Sequence, residues 1–316
     1  MKITVILCTF NRSQSLARAL DSVALCTLPA SVEWEVLVVD NNSTDQTRQL
    51  VEEFNRRYTE RFRYLFEPKP GKSHALNAGI REARGDVLAF MDDDVVVEPA
   101  WLQKLTAPLE SSNWAGVGGR IVPDQDFQPP RWIPLHERYA LAPLAMFDLG
   151  QQPGELSEAP FGTNMAFRKT VFAKLGGFRT DLGPRPGSAI RSEDTEFGYR
   201  VLGDGQRLWY EPSAVVYHSL PAHRVQKRYF LTWWHDKARA DVRASGAPSD
   251  TKWYFVGIPL YLFRRFAVWT IRWLATPSPA RRFSCKLKVW GVTAQIKECY
   301  RLSRKALPDS QISSPN

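Results

Sequence analysis

The sequence predicts an α/β protein built on a doubly wound, mostly parallel β-sheet. Three short apolar runs, Ile3–Leu7, Val36–Val39 and Val87–Met91, each lead directly into polar residues. Continuous apolar runs of this length are typical of strands that are covered on both faces. Amphipathic stretches separate them, and such strand–helix alternation indicates a parallel sheet. The polar residues that end the strands should therefore meet along one edge of the sheet, where folds of this class bind ligands.

The elements between these strands follow from apolar periodicity and from capping residues. Ser13 is a candidate cap for a helix over residues 13–25, which carries apolar side chains on one face. Further helices are expected over residues 46–58 and 71–83, with a short strand at Arg63–Phe66 between them.

The chain beyond residue 113 is less regular. A Pro- and aromatic-rich stretch from Pro123 to Met146 is expected to be an inserted loop or short helices, and Gly183–Ser188 is a candidate mobile lid. A short helix over residues 168–175 should end at Gly176. The remaining expected elements are strands at Val117–Ile121, Phe161–Phe167, Arg207–Tyr210 and Ala214–His218, and a helix over residues 193–202.

An acidic triplet, Asp92-Asp93-Asp94, follows the most apolar of the predicted strands. Adjacent carboxylates repel one another unless a cation is present, and Mg²⁺ takes one or two carboxylates together with substrate phosphates. On a strand, Asp92 and Asp94 would leave on the same side and could share one ion, whereas Asp93 would point away. The alternative interpretation is an acidic turn that caps the next helix.

The composition indicates a folded protein in a reducing compartment. Four cysteines lie far apart without metal-type spacing, so no disulfide framework is expected. The length allows one large or two small domains. The apolar run at the N-terminus is too short for a signal peptide and is interpreted as the first strand.

Basic residues are concentrated in the last third of the chain. Residues 1–218 contain 24 Lys and Arg against 28 Asp and Glu, a net charge of −4, whereas residues 219–316 contain 18 against 5, a net charge of +13. The excess of positive charge predicts an anionic partner surface for this tail.

The tail also contains an apolar segment, Tyr254–Ala275, which is long enough to span a bilayer. Three arginines interrupt it within an arc of roughly 100° on a helix. This pattern favours a helix that lies in the membrane interface, with Trp269 and Trp273 as anchors. Helices packed on the core and an oligomer interface are the alternatives. Residues 308–316 are expected to be disordered.

Short motifs carry a resemblance to a known family across about residues 1–220. In their order and spacing they resemble family 2 glycosyltransferases of the bacterial surface-polysaccharide type, which have the GT-A fold of nucleotide-diphospho-sugar transferases. The motifs are Thr9-Phe10-Asn11-Arg12, Val38-Val39-Asp40-Asn41-Asn42-Ser43-Thr44-Asp45, Gly71-Lys72-Ser73-His74-Ala75-Leu76-Asn77-Ala78-Gly79, Asp92-Asp93-Asp94, Gly162-Thr163-Asn164-Met165 and Glu193-Asp194.

The resemblance implies a donor site and a metal site. Asp94 would bind Mg²⁺ or Mn²⁺, Asp92 would contact the ribose or the metal, and His218 is a further candidate metal ligand. The alternatives are purely structural: His218 would be an ordinary structural histidine, Asp40 a turn residue and Lys72 a solvated lysine. The residues that would contact the donor are Thr9, Asn11, Arg12, Asp40, Lys72, Asp92 and Asp93.

The resemblance also implies a base and an acceptor site. Asp194 would be the general base that deprotonates the acceptor hydroxyl. Glu193 and Asp194 would otherwise be first-turn acids favoured by the helix dipole. The residues expected to line the acceptor side are Gly162, Thr163, Asn164 and Glu193.

Together these observations predict an inverting, metal-dependent glycosyltransferase that uses a nucleotide-diphosphate sugar, with a UDP-sugar favoured. We expect a GT-A catalytic domain over residues 1–220, with a nucleotide-binding half (1–110) and an acceptor-binding half (111–220). A basic, amphipathic helical extension over residues 221–307 would associate with the cytoplasmic face of a membrane that carries a lipid-linked glycan acceptor. The alternatives are a sugar nucleotidyltransferase and a catalytically silent nucleotide-sugar-binding scaffold. Nucleic-acid binding by the tail is not expected.

Overall fold

The computed structural model describes residues 1–58, 61–110, 113–124, 126–133, 141–187, 191–245 and 252–305. Its described residues fall into two compact units, a catalytic unit (1–128 with 144–221) and a helical unit (129–143 with 222–316). The segment 129–143 was expected inside the catalytic domain. It belongs to the helical unit because Trp132 packs edge-on against Phe230 and Phe283, with ring centroids 5.0 and 4.9 Å away. The expected disordered residues 308–316 lie outside the described residues.

A mixed β-sheet forms the centre of the catalytic unit. Its strands run in the order β3-β2-β1-β4-β8-β6-β9-β5, and β7 pairs with β9 outside this path. The strands β1 to β4 are mutually parallel, while β8 is antiparallel to both of its neighbours. The bounds are β1 Lys2–Thr9, β2 Glu33–Asp40, β3 Phe62–Phe66, β4 Val87–Asp92, β5 Val95–Val97, β6 Gly116–Pro123, β7 Gly154–Leu156, β8 Asn164–Arg168 and β9 Leu208–His218.

Helices cover the sheet as the apolar periodicity predicts. The strands contribute fully buried side chains such as Ile6, Val38 and Leu88, and the helices contribute Leu16 and Leu20. The helix bounds are α1 Ser13–Ala24, α2 Thr47–Arg57, α3 Lys72–Glu82, α4 Trp101–Thr106, α5 Lys169–Leu175 and α6 Glu193–Gly203.

Glycine in the motif around α3 allows a close approach of helix and sheet. A Cβ added at Gly79 would lie 2.7 Å from Cγ2 of Ile6, so a larger side chain would push α3 off β1. Asn77 of the same helix exchanges two hydrogen bonds with the backbone of Phe178, at 2.8 Å each. These contacts hold α3 against the sheet and against the segment that leads to the site.

Several local predictions were wrong at their boundaries. Residues 207–210 and 214–218 form one strand, β9, whose register with β6 shifts between Gly119 and Arg120. Pro212 lies in this irregular part, where a backbone N–H donor is not required. Ser13 does not cap α1 with its own side chain; instead its backbone N–H donates to Asp45 Oδ2 at 2.8 Å.

The helical unit consists of long helices and one hairpin. It contains α7 Lys227–Ser245, β10 Tyr254–Phe255, β11 Ile258–Pro259, α8 Leu260–Ala275 and α9 Pro279–Lys305. The helix predicted from Tyr254 starts later, because Val256 and Gly257 have positive φ values and reverse the chain into a hairpin. Among the described residues, no helix combines the length and the apolar character needed to span a membrane.

Glu298 joins α9 to α7 through a cluster of ion pairs. Its carboxylate accepts from Arg239 at 3.1 Å and Arg243 at 2.6 Å, both on α7, and it also pairs with Arg301. The side chain is 2% exposed. Burial opposes ionisation, but the hydrogen bonds from the three arginines lower the pKa of Glu298 to about 2.

We predict that Glu298→Gln destabilises the protein by about 2 kcal/mol, because the partly exposed arginines lose their shared charge partner. Since the pKa of Glu298 is depressed in the folded state, its contribution is present above the unfolded-state pKa, roughly 4.3. It disappears as the pH falls from there to about 2. Chemical unfolding over this pH range measures the effect.

The matched control is Glu52→Gln, which removes an exposed pair with Arg48 on α2. We expect a change of roughly 0.5 kcal/mol or less for this variant. Equal effects of the two substitutions would contradict the special role of Glu298.

Candidate active site

The predicted site residues meet at one edge of the sheet. The parallel strands β1, β2 and β4 end there with Thr9, Asp40 and Asp92, and β9 ends there with His218. Because β8 is antiparallel, its start lies at the same edge, and Asn164 pairs with Met91. This is the edge at which open α/β sheets bind ligands.

A partly buried ion pair occupies the centre of this edge. Lys72 Nζ, at the start of α3, donates to Asp92 Oδ1 at 2.6 Å and lies 3.8 Å from Glu193 Oε1. Burial opposes the charge on Lys72, but Asp92 and Glu193 raise its pKa above the ordinary value. For Asp92, burial raises the pKa, and the larger combined effect of Lys72 and of the hydrogen bonds lowers it. The pair therefore stays ionised.

Glu193 is the carboxyl group beside this pair. Burial, reinforced by the neighbouring Asp194 and opposed by Lys72, raises its pKa to about 7. Only Lys72 offers Glu193 a nearby positive charge within the described contacts of this side chain. Glu193 and Asp92 are therefore the two carboxyl groups nearest to the charge of Lys72.

Arg12 pairs with the other two residues of the acidic triplet, Asp93 and Asp94. Strand β4 ends at Asp92, so Asp93 and Asp94 lie in a turn and the alternation expected for a strand does not extend to them. Arg12 lies 3.0 Å from Asp93 and 3.3 Å from Asp94, and Thr9 donates to Asp93 at 2.8 Å. Burial raises the pKa of Asp93 to about 6, although Arg12 opposes the shift.

Asp94 and His218 provide donor atoms that suit a divalent cation. His218 Nδ1 lies 3.0 Å from the carbonyl of Leu144, which can only accept, so the ring donates through Nδ1–H and turns Nε2 toward Asp94. Nε2 is 3.4 Å from Asp94 Oδ1. No cluster of three or more His, Cys, Asp or Glu residues with metal-binding geometry occurs within the described part of the chain. The two donors fit a cation whose other positions are filled by substrate oxygens and water.

Asp194 lies at the start of α6 with both carboxylate oxygens oriented. Gly162 donates its backbone N–H to Oδ2 at 2.7 Å, and the N–H of Thr195 donates to Oδ1 at 2.7 Å. Ser192, just before the helix, has a left-handed backbone with φ 81°. The hydroxyl of Thr195 also donates to Oδ1 at 3.2 Å, so Oδ2, with one donor, retains lone-pair capacity for a hydroxyl proton.

Two adjacent residues connect the metal side of the site to the predicted base. The N–H of Gly162 binds Asp194, and the hydroxyl of Thr163 donates to Asp92 Oδ2 at 2.8 Å. This segment directly precedes β8, whose pairing with β4 fixes its position. The distance between the two carboxylates is therefore fixed by sheet register.

The predicted nucleotide end of the site is built from turn residues. Asp40 accepts from the N–H of Ser43 and from the hydroxyl of Tyr64, both at 2.8 Å. Asn11, with φ 51°, accepts the N–H of Thr44 at 2.7 Å. These bonds connect the loop after β1 with the loop after β2.

The structure places several predicted contact residues in supporting positions. Thr9, Asp93 and Glu193 are buried and bonded to protein partners, and the substrate contacts predicted for them stay predictions. Asn164 is 0% exposed: its amide donates to the carbonyls of Arg120 and Ala214, and its oxygen accepts from Trp101. It fixes the sheet and does not face an acceptor.

The sequence interpretation missed residues that act through tertiary contacts. Tyr64 pairs with Val38, two residues before Asp40, and this register brings its hydroxyl to the carboxylate. Trp101 reaches Asn164 from α4. No local sequence pattern predicts either contact. By contrast, the Gly183-Pro184 pair predicts a turn, and Gly183, which lies beside Ser73, has a positive φ.

The fold and the carboxylate-rich edge define a GT-A type of nucleotide-diphospho-sugar transferase fold. In agreement, the mannosyltransferase PcManGT of Pyrobaculum calidifontis, solved with GDP-Man and Mn²⁺, superposes with a TM-score of 0.57 at 21% identity, covering 97% of this chain and 76% of that one. TarS of S. aureus in complex with UDP gives a TM-score of 0.53 at 18% identity, with 96% and 90% covered.

Sequence comparison identifies the family. Residues 4–176 match the family described as Glycosyl transferase family 2, which is more than half of the chain. The protein belongs to this family and is a glycosyltransferase. It is 27% identical over 269 residues to the glucosyl-dolichyl phosphate glucuronosyltransferase of Haloferax volcanii, covering 82% of this chain and 84% of that protein. It is 28% identical to the succinoglycan biosynthesis protein ExoM of Rhizobium meliloti, with 74% and 70% covered.

We predict that Gly162→Ala lowers kcat by roughly tenfold or more, because small displacements of a reacting group are costly. The added Cβ would lie 3.1 Å from Asp194 Oδ2 and 3.2 Å from its Cβ, so the carboxylate must move. Steady-state glycosyl transfer measures the loss. Gly154→Ala is the control, because its Cβ meets nothing within 4 Å and activity should be unchanged.

We predict that Asn164→Ala destabilises the protein by about 3 kcal/mol, because it leaves a buried indole N–H and two carbonyls without their partner. Urea unfolding measures the effect. A normal stability with a raised acceptor KM would instead restore the acceptor contact predicted from the sequence.

Proposed function

We propose that the protein transfers a sugar from a nucleotide-diphosphate donor, with a UDP-sugar favoured, to an acceptor hydroxyl with inversion at the anomeric carbon. The observation that carries this proposal is the pair of contacts from Gly162 to Asp194 and from Thr163 to Asp92. Both contacts come from adjacent residues, so the proposed base Asp194 and the donor-side carboxylate Asp92 are bonded to the same short segment. A sugar bound between them would have its leaving group on one side and its acceptor on the other.

Asp194 is the proposed general base. Its two N–H donors orient the carboxylate without a charged partner of its own among the described contacts, so it is available to a hydroxyl proton. The acceptor oxygen attacks the anomeric carbon as Asp194 takes its proton, and the bond to the diphosphate oxygen breaks. One displacement of this kind inverts the configuration.

Lys72 and Arg12 are already paired with the acidic triplet, so a bound cation would have to balance the charge of the diphosphate. Lys72 and Arg12 bring positive charge to the sheet edge, and Asp94 with His218 would hold Mg²⁺ or Mn²⁺. A divalent cation bound there neutralises the developing diphosphate charge as a Lewis acid. Asp40 and Asn11 lie where a nucleoside would extend along the loops after β1 and β2.

The proposed acceptor is a lipid-linked glycan at the cytoplasmic face of the membrane, in the synthesis of a surface polysaccharide. By their names, one relative acts on glucosyl-dolichyl phosphate and another takes part in succinoglycan biosynthesis. The basic tail, with a net charge of +13 over residues 219–316, supports a peripheral location on an anionic membrane.

We predict that a panel of nucleotide sugars with Mn²⁺ or Mg²⁺ reveals one donor that is bound and turned over. Chelator and Asp94→Ala should abolish tight donor binding, because they remove the cation or its ligand. Asp194→Asn should keep donor binding and reduce transfer by roughly a hundredfold or more, since it removes the base.

Glu196→Gln is the matched control, because Glu196 is an acid of the same helical turn that pairs with Arg200 at 2.8 Å. Its transfer rate should stay within a few-fold of wild type. Full activity of Asp194→Asn, or anomeric retention in the product, would overturn the proposed mechanism.

A further inference from the structure

The helical unit exposes an apolar surface formed by the hairpin and by one face of α8. On α8, five apolar side chains recur at helical spacing on this face: Leu260, Phe263, Ala267, Ile271 and Leu274. Ile271 and Leu274 are 65% and 64% exposed. Single exposed apolar residues are ordinary, but a contiguous stripe of this length marks an interaction surface.

The hairpin extends this stripe beyond the start of the helix. The rings of Phe255 and Phe263 lie 6.5 Å apart, which joins the two elements into one surface. Trp253, Tyr254 and Val256 in or beside the hairpin are also exposed. We call the hairpin residues 253–256 and the five α8 residues the apolar surface.

The opposite side of α8 is the side that packs inside its own unit. Leu262 is buried there with Ile258 and Val292, and Trp269 packs against the same cluster. The apolar surface is therefore not a displaced part of the unit's core. It is a second apolar face on an otherwise packed helix.

A layer of aromatic and cationic side chains lies where α8 packs against α9. Lys288 is 4.3 Å from the Trp269 ring, and Lys286 is 5.4 and 5.0 Å from the rings of Trp273 and Trp290. Tryptophan and long cationic side chains that keep their heads near water are the groups that settle at the headgroup level of a bilayer. Here Trp269 lies on the packed side of α8, so this layer supports the helix behind the apolar surface.

Cationic side chains lie along one side of α8 and at the start of α9. Arg264, Arg265 and Arg272 are exposed on α8, and Arg281 and Arg282 are exposed at the start of α9. On a helical wheel, Arg264 borders the apolar stripe, whereas Arg265 and Arg272 lie farther round the helix, toward the side opposite the stripe. An apolar face with cations along one side complements an anionic lipid surface, into which such a helix inserts while lying in the interface plane.

We infer that the apolar surface docks onto an anionic lipid bilayer, with the hairpin and the outer face of α8 entering the interface and the arginines binding lipid phosphates. The inference extends the membrane location in the proposed function and rests on it. It names the surface that makes the contact and the lipid chemistry that it recognises.

Flotation of the full-length protein tests this inference with vesicles of phosphatidylcholine, alone or mixed with phosphatidylglycerol. We expect binding to the mixed vesicles that weakens at high salt. The double variant Ile271→Glu/Leu274→Glu should lose binding by about tenfold or more, because it places charge in the inserted face. Arg281→Gln/Arg282→Gln should weaken binding by roughly tenfold, since each lost cation removes one attraction to the anionic surface.

The matched control is Leu25→Glu, which changes a leucine of the catalytic unit that is 63% exposed and should leave vesicle binding unchanged. Circular dichroism verifies that each variant is folded. Absence of vesicle binding by the wild type would overturn the inference, as would equal loss in Leu25→Glu. Light scattering that shows a dimer broken by Ile271→Glu/Leu274→Glu, without vesicle binding, would assign the surface to a second copy of the chain.

Nucleotide-sugar binding, measured in the same preparations without vesicles, separates the two proposals. Vesicle binding without donor binding would contradict the proposed function and support the docking surface. Donor binding without flotation would contradict only the docking surface.

Discussion

The ion pair between Lys72 and Asp92 is the interaction on which the arrangement of the site depends. It joins the start of α3 to the end of β4, and Glu193 brings the start of α6 to the same cation. Three elements of the chain thus share one partly buried positive charge. Because adjacent carboxylates repel one another, the lysine stabilises the acidic edge of the sheet in the folded chain.

The remaining carboxylates of the site differ in how they are stabilised. Asp93 and Asp94 share Arg12, whereas Asp194 accepts from two backbone N–H groups and from the hydroxyl of Thr195. Chemically similar residues therefore differ in environment: Arg12 pairs with the first two carboxylates, whereas Asp194 has no ion pair among its described contacts. The different roles proposed for them rest on environment and not on residue type.

The sequence was sufficient to predict most of the parallel half of the fold and the residues that gather at its edge. Apolar strands such as Val87–Met91 are dictated by local pattern, so their existence needs no tertiary information. Asn164 shows where such reasoning ends: its motif suggested an acceptor contact, but Trp101 and two distant carbonyls occupy its amide. The sequence analysis missed the hairpin before α8 because the apolar segment fits a helix throughout. The positive φ values of Val256 and Gly257 divide it into a hairpin and a helix.

The adjacent pair Gly162 and Thr163 has a consequence for how the site tolerates change. One residue serves the base with a backbone N–H, and the next serves Asp92 with a hydroxyl. Insertion or deletion of a single residue just before β8 would shift both contacts together. A change of length at this junction would therefore disturb Asp92 and Asp194 together, and the site tolerates insertions better in loops that carry neither contact.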